Sequence, residues 1–258
     1  DDLSLVGVGS GPLSNYGLSG DRSLLEIMGL VDPILNYKKI TNFRKKLIKD
    51  FIKEEIDVFI GIDAPDFNFE IHKQMQKEGI KTIHVVCPSV WAWRPGRIKH
   101  FKHVDYMLCL FPFELEYCAN VRKQAFCIGH PLIDEKEAYE NEFKENIICI
   151  MPGSRKSEIK NNLDVMIDGF NQFNVEENFK AVIPVYKKED KYLIQHKIQD
   201  HEFITCEHVK SAEVLKKSKA AVVCSGTATL ETLLAGIPTT VVYKTNWFNH
   251  FILKQLML

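Results

Sequence analysis

An α/β protein of two domains is what this sequence predicts, and three observations carry the prediction. Short apolar, β-branched runs alternate with helix-length amphipathic runs along the 258 residues, the rhythm of parallel sheets covered by helices on both faces. The length, with 45% hydrophobic residues, supplies one large or two medium cores. A polar run, Asp134-Glu135-Lys136-Glu137-Ala138-Tyr139-Glu140-Asn141-Glu142, breaks the rhythm midway and sets the boundary between domains at 1–140 and 141–258.

Taken in order, the strand expectations are residues 3–9, 57–62, 81–86, 106–110, 124–128, 147–151, 180–185, 203–206, 220–224 and 239–243. Helical spacing marks residues 68–78, 158–173, 211–218 and 227–235. The opening residues are loop-rich, with Gly7, Gly9, Gly11, Pro12, Gly17 and Gly20. An apolar stretch over 27–35, containing Met28 and Leu30, precedes a helix over 41–51. That helix puts Phe43, Leu47, Ile48 and Phe51 on one side and Arg44, Lys45, Lys46 and Lys49 largely on the other. A basic amphipathic helix beside an apolar segment suits an anionic membrane surface or the handling of a lipid; a cover helix with a solvated basic face has the same pattern.

Charge and cysteine usage narrow the function classes. With 33 Lys and Arg against 34 Asp and Glu, the formal net charge is -1, so general nucleic-acid binding is not expected. The seven cysteines contain no C-x-x-C pair, and Cys109, Cys149 and Cys224 lie in apolar runs, which reads as buried thiols in a reducing compartment. No apolar run reaches the roughly eighteen residues of a membrane span, and no signal-peptide layout opens the chain. The expectation is a soluble, cytoplasmic protein able to touch a membrane surface.

In a parallel architecture ligands bind beyond the carboxyl ends of the strands, so the loops there are where chemistry is expected. The first is Gly61-Ile62-Asp63-Ala64-Pro65-Asp66-Phe67-Asn68. Asp66 or Asn68 reads as a helix cap. Asp63 comes too early to cap, and a catalytic base and a structural role are both open for it. The loop Cys87-Pro88-Ser89-Val90-Trp91-Ala92-Trp93-Arg94-Pro95-Gly96-Arg97 offers Trp91 and Trp93 to a sugar ring or acyl chain and Arg94 to a phosphate, with aromatic core packing as the alternative. His100 and His103 have no third ligand at metal-site spacing, and no Asp-x-Asp occurs, so no metal is expected.

Two strand-turn-helix junctions follow. Gly153-Ser154-Arg155-Lys156 brings two cations to a helix entrance, where a leaving diphosphate would gather charge; in the alternative Ser154 caps the helix and Arg155 pairs with Glu158. Ser225-Gly226-Thr227-Ala228-Thr229-Leu230-Glu231 directs helix-start amides at an anion, with Glu231 able to accept from ribose hydroxyls or simply to face solvent. Two such turns in one domain, at Gly153 and Gly226, favour a nucleotide pocket more than either does singly.

The motifs Gly61 to Asn68, Pro88-Ser89-Val90-Trp91-Ala92-Trp93-Arg94, Phe111-Pro112-Phe113-Glu114, Gly129-His130-Pro131, Pro152-Gly153-Ser154-Arg155 and Ser225 to Glu231 resemble those of lipid-A-disaccharide synthases, in order and with similar spacing. The resemblance implies a GT-B architecture of two facing Rossmann-like domains. It further implies an inverting, metal-independent transfer from UDP-2,3-diacylglucosamine to 2,3-diacylglucosamine 1-phosphate, releasing UDP, with no cofactor. On that reading Asp63 is the general base, Arg155 with Ser154 and Gly153 binds phosphate, and Ser225, Gly226, Thr227 and Glu231 hold UDP. Trp91, Trp93, Arg94, Met28 and Leu30 become acceptor or acyl contacts, at the cytoplasmic face of the inner membrane.

The family opens with a strand and a Gly-Glu-x-Ser-Gly-Asp loop, which Ser19-Gly20-Asp21 does not match. It closes with a segment beyond the apolar helix expected around Trp247, Phe248, Phe251 and Leu253, one that subunits can exchange, so a homodimer is a further expectation. Pieces of the acceptor and donor sides are therefore expected to lie outside these residues. Within the same fold the alternatives are a peptidoglycan glycosyltransferase or an epimerase on a UDP-amino sugar; outside it, a non-catalytic sugar-nucleotide-binding module.

Overall fold

The computed structural model describes residues 3–9, 18, 37–92, 94–139, 144–174 and 178–244. These divide into two compact units, one running to Gly129 and the other beginning at His130, ahead of the polar run. Met28, Leu30, Trp93, the Ser19-Gly20-Asp21 stretch and the apolar helix expected near Trp247 lie outside the described residues.

The first unit holds a four-stranded sheet, β1 (Val58–Ile62), β2 (Lys81–Val85), β3 (Tyr106–Cys109) and β4 (Gln124–Cys127), paired in that order and parallel throughout. Helix α1 (Tyr37–Lys53) precedes β1, and α2 (Pro65–Lys77) crosses from β1 to β2. The apolar side of α1 is docked on the protein, since Leu47 and Phe51 are buried against Phe59, Ile71 and Met75. Its lysines Lys45, Lys46 and Lys49 are exposed. The strand expected over residues 3–9 does not form. Its apolar side chains find no second layer: Leu3 is 84% exposed, and Val8 alone of the run packs against the core.

A polar pair sits inside this unit. His72 on α2 and His84 on β2 are both fully buried, with Nε2 of His72 3.0 Å from Nδ1 of His84. Helix α2 approaches the sheet closely because position 61 is glycine: a Cβ there would lie 2.9 Å from His72 Nε2. The other ring nitrogens, His72 Nδ1 and His84 Nε2, have no hydrogen-bond partner among the described residues. Burial lowers the His72 imidazole to about 2, helped by His84 and His103, and burial lowers His84 to about 4.

The second unit holds β5 (Ile147–Met151), β6 (Lys180–Pro184), β7 (Ile204–Glu207), β8 (Ala220–Cys224) and β9 (Thr239–Val242) in the order β7-β6-β5-β8-β9, again all parallel. Helices α3 (Lys156–Phe173), α4 (Lys188–Ile198), α5 (Ser211–Leu215) and α6 (Thr227–Leu234) connect them. Alternation along the central strand is what makes two cores. Ile148 and Ile150 pack with Ile159, Leu163 and Phe170 of α3, whereas Cys149 and Met151 pack with Val214 and Leu215 of α5.

Asn162, fully buried on α3, ties the carboxyl edge of this sheet together. Its Nδ2 donates to Glu158 O at 2.9 Å and reaches Pro152 O at 3.4 Å and Cys224 Sγ at 3.5 Å, while its Oδ1 accepts from Lys244 N at 2.7 Å. One side chain thus joins the segments that follow β5 and β9 to the last residue of β8.

Two outcomes follow from these buried polar groups. Because folding lowers both imidazole pKa values below the ordinary 6.5, the unfolded chain binds protons first as pH falls. Their contribution is complete above about pH 6.5 and is lost toward acid, so urea unfolding of the first unit should weaken between about pH 6.5 and 5 by up to ~1.4 kcal/mol per pH unit for each imidazole. A flat profile over that window excludes the buried neutral pair. Asn162→Ala removes the acceptor of the Lys244 amide, and should lower the unfolding free energy of the second unit by roughly 1–3 kcal/mol in denaturant titrations.

Candidate active site

The carboxyl edge of the first sheet is where the backbone is most constrained. Asp63 and Ala64 follow β1 in consecutive left-handed conformations, φ 49° and 42°, Val86 after β2 has φ 76°, and Arg94 has φ 52°. None is glycine, and each such residue costs on the order of 1–3 kcal/mol, a cost that surrounding contacts must offset. At Asp63 they do: its N–H donates to Val85 O at 2.9 Å and its carbonyl accepts from Asn68 Nδ2 at 2.8 Å. The backbone is held from both sides while the side chain stays exposed.

The expected helix cap takes another form. The residue before α2 is Ala64, without a side-chain cap. Asn68 turns back to the carbonyls of Ile62 and Asp63 instead. Asp66 pairs with Arg94 at 2.5 Å and with Arg97 at 2.6 Å, and its backbone carbonyl accepts from Arg44. Burial alone would raise the Asp66 carboxyl, but the Arg97 and Arg94 guanidiniums outweigh it and hold it below its ordinary range. Both loop arginines are thereby aimed by one carboxylate on α2. Nothing local in the sequence announces this pairing, which spans 28 and 31 residues.

Trp91 lies in the same loop, half-buried, with its ring edge-on to Phe113 at 4.8 Å and tilted against Tyr117 at 6.0 Å. One side of the indole is therefore core. Phe113 belongs to the turn after β3, which Glu114 organises: its buried carboxylate accepts from the amides of Leu110 at 2.7 Å and Phe111 at 3.0 Å. Burial raises the Glu114 carboxyl, and those two amides oppose the rise.

In the second unit the two expected cradles are neighbours, because β5 and β8 pair directly. At the first, Gly153 has φ 124°, and a Cβ there would fall 2.5 Å from the Glu158 side chain. Glu158 explains the geometry: its Oε2 accepts from the amides of Ser154 at 3.0 Å and Arg155 at 3.2 Å, while Oε1 accepts from Arg155 Nη1 at 3.0 Å. The cap is thus Glu158 rather than Ser154, and Arg155 pairs with it as the surface-pair alternative anticipated. A carboxylate already sits where an anion was expected.

At the second cradle Ser225, Gly226 and Thr227 are exposed, and Gly226 adopts φ 153° at the start of α6. Thr229 closes the turn, donating through Oγ1 to Gly226 O at 2.7 Å. The Thr229 amide donates to Gly226 O at 3.0 Å, and the amides of Thr227 and Ala228 precede any intrahelical acceptor, which leaves those two for an anion. Glu231, one turn in, does not simply face solvent: it accepts from Ser211 Oγ and, at 3.4 Å, from Tyr139 OH. Burial, with the Glu231 charge, pushes the Tyr139 phenol up to about 12. Asn162 is the residue sequence reasoning missed here, since one buried Asn in an amphipathic helix carries no signal of what it will hold.

The sequence profile described as lipid-A-disaccharide synthetase matches residues 1–258. A lipid-A-disaccharide synthase of Francisella tularensis subsp. novicida (strain U112) is 35% identical over 271 residues, covering 98% of this chain and 71% of that protein. One from Francisella philomiragia subsp. philomiragia is 35% identical over 277 residues, covering 99% and 72%. In fold the chain is similar to a putative UDP-N-acetylglucosamine 2-epimerase from Listeria monocytogenes, with a TM-score of 0.58 at 15% identity over 93% of this chain and 70% of that one. It is also similar to Acinetobacter baumannii MurG, with a TM-score of 0.52 at 14% identity over 97% and 73%. These structural likenesses establish the α/β, GT-B fold class, and the sequence match establishes more: the chain belongs to the lipid-A-disaccharide synthetase family.

Proposed function

We propose that this protein is an inverting glycosyltransferase that joins the glucosamine of UDP-2,3-diacylglucosamine to the 6-hydroxyl of 2,3-diacylglucosamine 1-phosphate, releasing UDP. The observation that carries the reading is the family match along residues 1–258. Asp63 is the base: its backbone is fixed on both sides and its carboxylate is exposed at a strand's carboxyl end. It takes the proton from the acceptor hydroxyl as that oxygen attacks C1 of the donor. The bond from C1 to the diphosphate oxygen breaks as the new bond forms, and UDP carries the electron pair away.

The second unit supplies the donor side. Arg155, with the Gly153 and Ser154 backbone, takes the diphosphate once Glu158 yields the two amides, and Ser225, Gly226 and Thr227 present the start of α6 to the nucleotide. Glu231, held by Ser211 and Tyr139, receives the ribose hydroxyls. Trp91, Trp93 and Arg94, with Met28 and Leu30, serve the acceptor and its acyl chains. Among the described residues no helix is long and apolar enough to cross a membrane. Contact with an anionic membrane surface falls to the lysine face of α1, whose apolar face is already docked on the core. A homodimer is the assembly the family resemblance suggests.

Mass-spectrometric detection of the disaccharide from these two substrates tests the reading directly, and equal use of acyl-free UDP-glucosamine would overturn it. Asp63→Ala should lower kcat by roughly 10²–10⁴-fold while UDP affinity, measured by calorimetry, stays within about twofold. Full turnover in that variant removes the base assignment. Arg155→Ala should raise KM for the donor and lower kcat, because the cation acts on the charge that departs with UDP. Unchanged donor kinetics would leave Arg155 with no role beyond its pair with Glu158.

A further inference from the structure

Three buried cysteines of the first unit converge at one point. Cys87 follows β2, Cys109 ends β3, and Cys118 terminates the 3₁₀ turn Pro112–Tyr117, so three separate segments each deliver one thiol. They are 2%, 0% and 6% exposed. The Cys118 sulfur lies 3.9 Å from that of Cys87 and 3.7 Å from that of Cys109, and all three sulfurs fall within 4.8 Å of one another. A thiolate-bound Zn²⁺ has metal–sulfur distances of about 2.3 Å, which separates its sulfurs by about 3.8 Å in a tetrahedron and about 4.0 Å in a trigonal plane. The two measured edges agree with that spacing.

A single buried thiol is ordinary core packing, and no pair here has the short spacing of a familiar ligand motif, the partners being 31 and nine residues apart. The convergence is what calls for an account. Phe69, Val90, Phe101 and Met107 belong to the same buried cluster, an apolar setting that favours soft ligation, and the oxygens within reach are the backbone carbonyls of Pro88, 3.7 Å from Cys87 Sγ, and of Glu114, 3.4 Å from Cys118 Sγ. Cys118 also lines an open surface cavity of about 390 Å³, together with Leu115, Val121 and Ala125, which is the side of the cluster nearest solvent.

We propose that Cys87, Cys109 and Cys118 form a three-thiolate site for one soft d¹⁰ cation, Zn²⁺ or Cu⁺. Binding replaces the three S–H protons, which leave to solvent, and the cation offsets the thiolate charge that burial would otherwise forbid. The filled site ties the loop entering Pro88 to the end of β3 and to the turn that carries Phe113. Those are the segments that seat Trp91.

The test loads the reduced full chain with Zn²⁺ and, separately, with Cu⁺, removes loosely held metal, and counts what remains by elemental mass spectrometry. The expected result in at least one arm is about one equivalent, retained by Cys127→Ser, whose thiol is exposed, and lost in Cys109→Ser with Cys118→Ser. X-ray absorption on the loaded wild type should give three sulfurs at about 2.3 Å, and this stands alone if the double variant fails to fold. No retained metal in either arm, retention by a folded double variant, or a first shell of nitrogen and oxygen would overturn the proposal. The arm that retains its metal identifies the cation.

Discussion

Every strand ladder among the described residues is parallel, and that constraint governs where this protein can place its chemistry. A parallel pair needs a crossover that returns the chain to the same end, so each sheet has one edge where all its strands finish. At that edge the chain must leave an extended conformation and enter a helix within a few residues. Asp63, Ala64 and Val86 in the first unit, and Gly153 and Gly226 in the second, take left-handed backbone there to do it. The candidate catalytic and nucleotide residues are therefore by-products of topology before they are tools of a reaction.

Holding such loops still is the work of polar groups placed behind them. Asn68 and the Val85 carbonyl fix Asp63, and the His72–His84 pair lies under the glycine that admits α2 to the sheet. In the second unit Asn162 reaches the carboxyl ends of three strands at once, at Pro152, Cys224 and Lys244. Both units place buried polar groups behind that edge, and others lie elsewhere in the interior, such as Thr82 with Asp105 in the first unit and Ser218 in the second. Apolar packing is tolerant of small shifts in register; a buried amide with one geometry is not, and the loops inherit its precision.

The parts that follow from local pattern were legible in the sequence. The continuous apolar run over 147–151 marked a buried strand, and small residues after strands marked the turns at Gly153 and Gly226. Partnerships between distant residues were not legible. Asp66 could be read as a cap because a cap needs only its own helix, whereas its arginines come from a loop that folding brings near. For Glu231 the sequence left a ribose contact and a solvent-facing position both open and showed neither protein partner, because Tyr139 and Ser211 lie on other elements. Helix α4 escaped notice because it buries just Asp190, Ile194 and Ile198, a stripe too narrow to register as amphipathic. Residues 3–9 alternate like a strand, yet alternation describes only one face of the requirement and says nothing of whether a second layer exists to receive it.

Glu158 gives the first cradle a property that an open anion site would lack. Its carboxylate already holds both amides and the guanidinium of Arg155, so an arriving anion exchanges with another anion rather than with water. Affinity there measures a difference, and a ligand carrying one dispersed negative charge gains almost nothing from the swap. Only a group with more charge and more acceptors than a carboxylate profits. Any anion taken up there must first displace a tethered carboxylate, so the two amides and the guanidinium hold it less tightly than they would in an empty turn.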